Sequence, residues 1–408
     1  MEVNFQDENG SSPLHKAAAL ARNAAAIDAL IAAGADVNAR SDNGSTPLHR
    51  AAAFNKNPSV IDVLVAAGAD VAALRADGNT ALHRAAFLNT NPLVVAALLA
   101  SGADVSIRNK DGLLPLHRAV ANNPNGSVVR ALVAGGSDVG TPGQNGWPPL
   151  LIAAALNKNG SVIQALIADG ANVDVLSEDG NSPLEIAVTG GNSSRSVVDA
   201  LLEGGASVDG RNEGGATPIH KAATLYQNGP IIEALIAGGA DVNARYVDGS
   251  TPLHWAALRN RNPLVVETLL AGGADVSART EDGSTPLHWA NAPAVVDALI
   301  AGGANVDART VNGATPLHFA AASNSASRVV ETLIAAGANV RGRTEDGQTP
   351  LHAAAKSGTS FAIEALIAAG ADPSQSDGSG RPPFFYAEKN EAIKGSKAYW
   401  KLNDARFK

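Results

Sequence analysis

Apolar residues along this chain fall into short clusters with helical spacing, and the clusters come in pairs. Residues 248–279, DGSTPLHWAALRNRNPLVVETLLAGGADVSAR, show the pattern in full. Thr251 suits an N-cap, because its hydroxyl can accept from an orphan backbone N–H of the first turn. Pro252 suits the first helical position, where the N–H it lacks has no partner in any case. A short helix is predicted from there, with small Ala256 and Ala257 admitting a close neighbour. Asn262-Pro263 repeats the start signal, and Leu264 to Leu270 places apolar residues at helical spacing. Gly272-Gly273 ends that second helix, since glycine takes the left-handed backbone at little cost. One such helix-turn-helix with its extended hairpin cannot bury its own apolar face, so it must stack on copies of itself.

The copies are present. A turn glycine precedes the first helix at Gly10, Gly44, Gly78, Gly112, Gly146, Gly180, Gly215, Gly249, Gly283, Gly313, Gly347 and Gly380, mostly 34 residues apart. Periods of this size mark a stacked solenoid, in which each unit touches only its neighbours. The tetrad Thr-Pro-Leu-His stands at Thr46–His49, Thr251–His254, Thr285–His288, Thr315–His318 and Thr349–His352, with looser copies at Ser12–His15 and Thr217–His220. On these residues the chain resembles the ankyrin-repeat family over nearly its whole length. The resemblance implies an all-α repeat solenoid of stacked helix-turn-helix ankyrin repeats with short β-hairpin projections. About eleven units are expected over residues 1–379, the first near 10–43 and a shortened one at 283–312. Residues 380–408 read as a degenerate helical cap. In it Phe384-Phe385-Tyr386 and Ala398-Tyr399-Trp400-Lys401-Leu402 can cover the end of the core, while Lys394, Lys397, Lys401, Arg406 and Lys408 are expected to face water. This ending is similar to the tails of bacterial ankyrin-repeat proteins. At the other end the first repeat opens at Gly10 with no obvious polar cap, which leaves open whether a further N-terminal segment precedes it.

Three departures from the repeat stand out. The unit opening at Gly283 has 30 residues, and losing about one helical turn should shorten its inner helix and leave a notch. The stretch 140–146 is rich in chain breakers, and the two units after it carry Leu151 and Glu185 in place of the histidine. This reads either as a hinge in the weakest part of the stack or as simple drift. Most of the early units also carry an Asn-rich inter-helix turn, in which Asn57 and Asn91 are expected to cap the second helices.

Composition narrows the function. A net charge of -8 argues against a general nucleic-acid or anionic-membrane binder. The absence of cysteine removes disulfides, thiolate nucleophiles and Cys-based zinc sites. The N-terminus begins no signal peptide and no apolar run is long enough to span a bilayer. A cytoplasmic location is the default, with a secreted effector as the alternative. All nine histidines fall in the tetrad, where the resemblance implies that they tie neighbouring repeats together. None is left for a triad or a metal site, so no catalytic residue, cofactor or metal is expected. The pairs Glu178-Asp179, Glu281-Asp282 and Glu345-Asp346 adjoin turn glycines and read as solvated hairpin tips. Gly140, Gly143 and Gly146 lack the Lys-Ser/Thr of a phosphate loop.

What remains is surface. In this family partners bind on hairpin tips and the exposed face of the inner helices, so a monomeric, non-catalytic module that binds another protein on its concave face is expected. The residue after the histidine is basic early in the chain, at Arg50, Arg84 and Arg118, and aromatic later, at Trp255, Trp289 and Phe319. Arg and aromatics are enriched at binding hot spots, although aromatics also simply fill cores. Leu258 and Arg259 flank the expected notch. A second ladder, Arg211, Arg245, Arg279, Arg309 and Arg343, lies near the hairpins and either receives an acidic partner segment or pairs with hairpin carboxylates. The rival readings are a structural spacer, or the targeting part of a larger effector or enzyme.

Overall fold

A computed structural model describes residues 3–143, 145–190, 194–212, 214–225, 229–323 and 327–405. Among them the chain forms 24 helices in short antiparallel pairs and no strand. It divides into two compact units, Met1–Gly210 and Arg211–Lys408, each holding six helix pairs. The boundary is not at the breaker-rich 140–146 stretch, across which helix Pro115–Asn122 packs directly on Pro149–Leu156. The side chains of Arg406 and Lys408 lie outside the described residues; Lys394, Lys397 and Lys401 are exposed.

The repeat at residues 248–279 shows why the sequence folds this way. Its inner helix, Pro252–Arg259, buries Leu253, Ala256 and Ala257 completely, and its outer helix, Pro263–Ala271, does the same with Val265, Val266 and Leu269. Each large aliphatic side chain so buried contributes about 1.5–3 kcal/mol, and the alanines set how closely the next inner helix approaches. Gly273 ends the outer helix at φ 91°, letting the Ala274 N–H reach back to the Leu269 carbonyl at 3.0 Å. Gly249, at φ 79°, makes the hairpin turn. The hairpins hold turn hydrogen bonds and one rung to the preceding hairpin, such as Glu281 N–H to the Asp248 carbonyl at 3.0 Å, without forming a ladder.

The helix start is a capping box, in which the expected Thr251 hydroxyl cap is joined by the side chain of His254. The Thr251 N–H donates to His254 Nδ1 at 3.2 Å, with the Thr251 hydroxyl 3.0 Å from the same nitrogen. The other ring nitrogen, Nε2, faces the Ser284 carbonyl of the next repeat at 3.1 Å. A backbone N–H only donates and a carbonyl only accepts, so the ring is the neutral tautomer with its proton on Nε2. All nine histidines make this cross-repeat bond, from His15 to the Ser45 carbonyl at 2.8 Å through His352 to the Arg381 carbonyl at 3.1 Å. Burial lowers the pKa of His49, His254, His288 and His318 to about 4. Where the histidine is missing, Leu151 is buried, and Glu185 reproduces the cap by accepting the Ser182 N–H at 3.0 Å. The other Glu185 oxygen, Oε1, is buried without a partner.

A second device ties inner helices together at their far ends. Asn89 Nδ2 donates to the Ala52 and Asn55 carbonyls at 3.0 and 2.7 Å, 37 and 34 residues away in sequence. Asn55, Asn123 and Asn157 repeat this arrangement in the first unit. Each satisfies helix-end carbonyls that are otherwise orphaned. Asn57 and Asn91 cap the following helices as expected, accepting the Ser59 and Leu93 N–H at 3.1 and 3.0 Å.

Candidate interaction surface

In the second unit the residue after three of the five histidines is aromatic and packs on the histidine of the preceding repeat. The Trp255 ring meets His220 edge-on at 5.2 Å, Trp289 meets His254 at 5.1 Å and Phe319 meets His288 at 5.2 Å. Trp255 also touches Tyr246 at 5.2 Å and donates from Nε1 to the Ser250 hydroxyl at 2.9 Å. These aromatics are half-buried, so each packs with one part and offers the remainder to solvent.

The short repeat opens the notch that its missing turn implies. The inner helix Pro286–Trp289 has 4 residues where its neighbour Pro252–Arg259 has 8. Asn291 takes over the carbonyl-binding role there, donating to the Leu258 carbonyl. Beside the shortened helix lies a cavity of about 570 Å³ lined by Thr224, Tyr246, Asp248, Trp255, Leu258, Arg259 and Trp289. Four sequence-predicted residues (Trp255, Leu258, Arg259 and Trp289) therefore meet in one cavity. Phe319 sits one repeat further on and does not line it.

The hairpin arginines do not pair with carboxylates. Arg245 Nη1 donates to the Gly249 carbonyl at 3.0 Å and to the Arg279 carbonyl at 2.7 Å. Arg211 and Arg279 bind the same two kinds of carbonyl, while Arg309 and Arg343 each reach the next hairpin at 2.7 and 2.8 Å. Among the described residues none of the five lies within ion-pair distance of an acid. They are exposed backbone clamps between successive hairpins. Arg40 and Arg108 do the same in the first unit. The pairs Glu178-Asp179, Glu281-Asp282 and Glu345-Asp346 are exposed at the tips.

In three successive repeats of the first unit arginine fills the aromatic position, at Arg50, Arg84 and Arg118. Arg50 lies 4.9 Å from the centre of the Phe54 ring, and Arg118 lies 4.1 Å from that of Phe87. The Nε atoms of Arg50, Arg75 and Arg118 are buried without a hydrogen-bond partner. Burial, reinforced by the Arg75 charge, lowers the Arg84 pKa to about 10. Sequence reasoning missed Arg75 and also a second cavity, of about 490 Å³, that adjoins Arg118 and is walled by Leu113, Trp147, Ile152 and Leu156. A tryptophan directly after the breaker stretch was the available signal for it.

Among the described residues no cluster of His, Asp and Glu could hold a metal ion, and no helix is long and apolar enough to cross a membrane. A family profile described as ankyrin repeats (3 copies) matches residues 1–74, 19–109, 50–142, 116–212, 150–246, 190–280, 219–310 and 291–377. Among solved structures, the crystal structure of the human ASB11 ankyrin repeat domain is similar, at 27% identity and a TM-score of 0.46. That similarity covers 57% of this chain and 99% of that one. No curated protein matches this chain.

Proposed function

The chain belongs to the ankyrin-repeat family, whose repeats are generally protein-interaction modules, and from that premise we propose that it binds a partner protein without catalysis, along its inner helices and hairpin tips, on the concave side. The observation that carries this reading is the cavity beside the shortened helix, where Trp255, Trp289, Leu258 and Arg259 converge. Aromatic, aliphatic and guanidinium groups in one recess are the composition of an interface hot spot. Because the wall is already packed on His220 and His254, little ordering cost opposes binding. Another protein is the partner, with neither a nucleic acid nor a membrane required.

The test is affinity capture from the source cell's lysate with mass spectrometry of what is retained. Wild type is compared with Trp255→Ala/Trp289→Ala/Phe319→Ala and with Leu258→Asp/Arg259→Glu, which changes exposed residues and leaves the aromatic packing alone. Circular dichroism checks that all are folded. A protein retained by wild type and lost by both folded variants supports the proposal. A protein retained equally by all three contradicts it.

A further inference from the structure

The chain carries a net charge of -8, yet the inner face of the first unit gathers Arg50, Arg75, Arg84 and Arg118. One ion pair among the described residues touches this group, Arg75 to Asp77 at 3.7 Å. The Arg84 side chain feels Arg75, Arg118 and Arg50 as neighbouring charges, with Asp77 alone opposing them. Three of the four have a buried Nε with no partner. Buried polar groups are rarely left so, and guanidiniums gathered in a partly desolvated groove with one carboxylate among them favour an anionic guest. Arg118 is also a wall of the apolar cavity formed with Trp147, Leu113, Ile152 and Leu156, and Leu156 is 60% exposed. The charged row and the apolar recess are therefore continuous at Arg118.

We propose that this surface binds an extended acidic segment of a partner protein, with carboxylates on Arg84 and Arg118 and one bulky apolar side chain in the recess beside Trp147. The inference rests on the reading of the inner-helix face as the binding surface and adds the chemistry of what binds. Arg50, Arg84 and Arg118 are successive copies of one position, so they are spaced by about 9 Å, the distance between packed helices. An extended chain in the polyproline II conformation rises about 3.1 Å per residue with three residues per turn, so every third side chain returns to the same face after about 9 Å. The expected segment thus carries Asp or Glu about every third residue, with Phe, Leu or Trp at one end.

The experiment titrates the full chain into a fluorescein-labelled peptide with Glu at every third position and a terminal Phe, made in both sequence orders, and follows anisotropy. Control peptides replace Glu by Gln, Glu by phosphoserine, or Phe by Ser. The expected result is binding of one Glu peptide that weakens with added salt, since exposed charge pairs are screened within about 10 Å at 0.1 M. Arg84→Gln/Arg118→Gln should weaken it about tenfold or more, and Trp147→Ala about threefold or more. Arg118→Lys, which keeps the charge but not the planar fork, should retain part of the affinity. Leu264→Ser, at an exposed position on an outer helix of the second unit, should leave it unchanged. Equal binding of the Glu and Gln peptides overturns the inference. So does binding of the phosphoserine peptide alone, or a Glu affinity indifferent to Arg84→Gln/Arg118→Gln in a variant with wild-type circular dichroism. If a captured partner depends on Trp255 and Trp289 while the Glu peptide does not bind, this inference fails and the broader reading stands. If the Glu peptide binds as expected and nothing depends on the notch, the notch hypothesis fails and this one stands.

Discussion

Arg118 in the first unit and Trp289 in the second occupy the same step of the repeat, yet one leaves a buried guanidinium Nε without a partner and the other packs against a histidine ring. The skeleton beneath them is shared. Both units use the neutral histidine bond, the small alanines and the paired glycines. They differ in how that skeleton is secured. The first unit has an unbroken run of buried asparagines from Asn55 to Asn157 but loses its histidine after His117. The second keeps five histidines from His220 to His352, while its asparagine position carries Tyr226 in one repeat and Gly358 in another. The comparison teaches that tie points are interchangeable, and that the residue after the histidine is free to carry function.

Acid should separate the two units most strongly. Unfolded imidazoles titrate near 6.5, while His254, His288 and His318 of the second unit and His49 of the first titrate at about 4 when folded. Below pH 6.5 the unfolded chain therefore binds more protons than the folded one. The stability these groups contribute is present above 6.5 and is lost as the pH falls through 4. Hydrogen exchange followed from pH 7 to pH 4, corrected for intrinsic rates, should show protection falling first in helices of the second unit. Equal loss in both units would break the comparison.

His254→Ala comes next. It strips the Thr251 N–H and the Ser284 carbonyl of partners in a buried site, at a cost of about 3 kcal/mol in urea unfolding. Glu185→Ala in the first unit, which loses a cap without a cross-repeat bond, should cost about 1 kcal/mol. Asn89→Ala leaves the Ala52 and Asn55 carbonyls unmet and should cost about 2 kcal/mol, read as a lowered urea midpoint. Arg279→Ala should change stability by less than about 1 kcal/mol, because its bonds are exposed or only part-buried and water can replace them. A larger loss would mean that the hairpin row is structural beyond its hydrogen bonds.

Much of the fold was legible because a period of about 34 residues is a strong constraint: once Gly249 and Thr251–His254 are placed, every copy follows. The notch was legible for the same reason, since a missing turn shows as a broken period. The asparagine ties were not, because Asn89 in an Asn-rich turn looks like turn composition while its partners lie 34 and 37 residues away. Nor did the sequence reveal that Arg245 would clamp a carbonyl, since every residue offers one and only Asp and Glu announce themselves. The Trp147 recess escaped because the 140–146 stretch looked like a weakness, whereas inner helices pack directly across it.

The most direct test is site-specific photocrosslinking in the source cell. Benzoylphenylalanine is placed at Leu258 on an inner helix and, separately, at Leu264 on the outer helix of the same repeat. Both positions are exposed, at 40% and 51%, so accessibility alone does not favour either. The account predicts a discrete crosslinked adduct from Leu258 and none of that mass from Leu264. An adduct from Leu264 with none from Leu258 would contradict it.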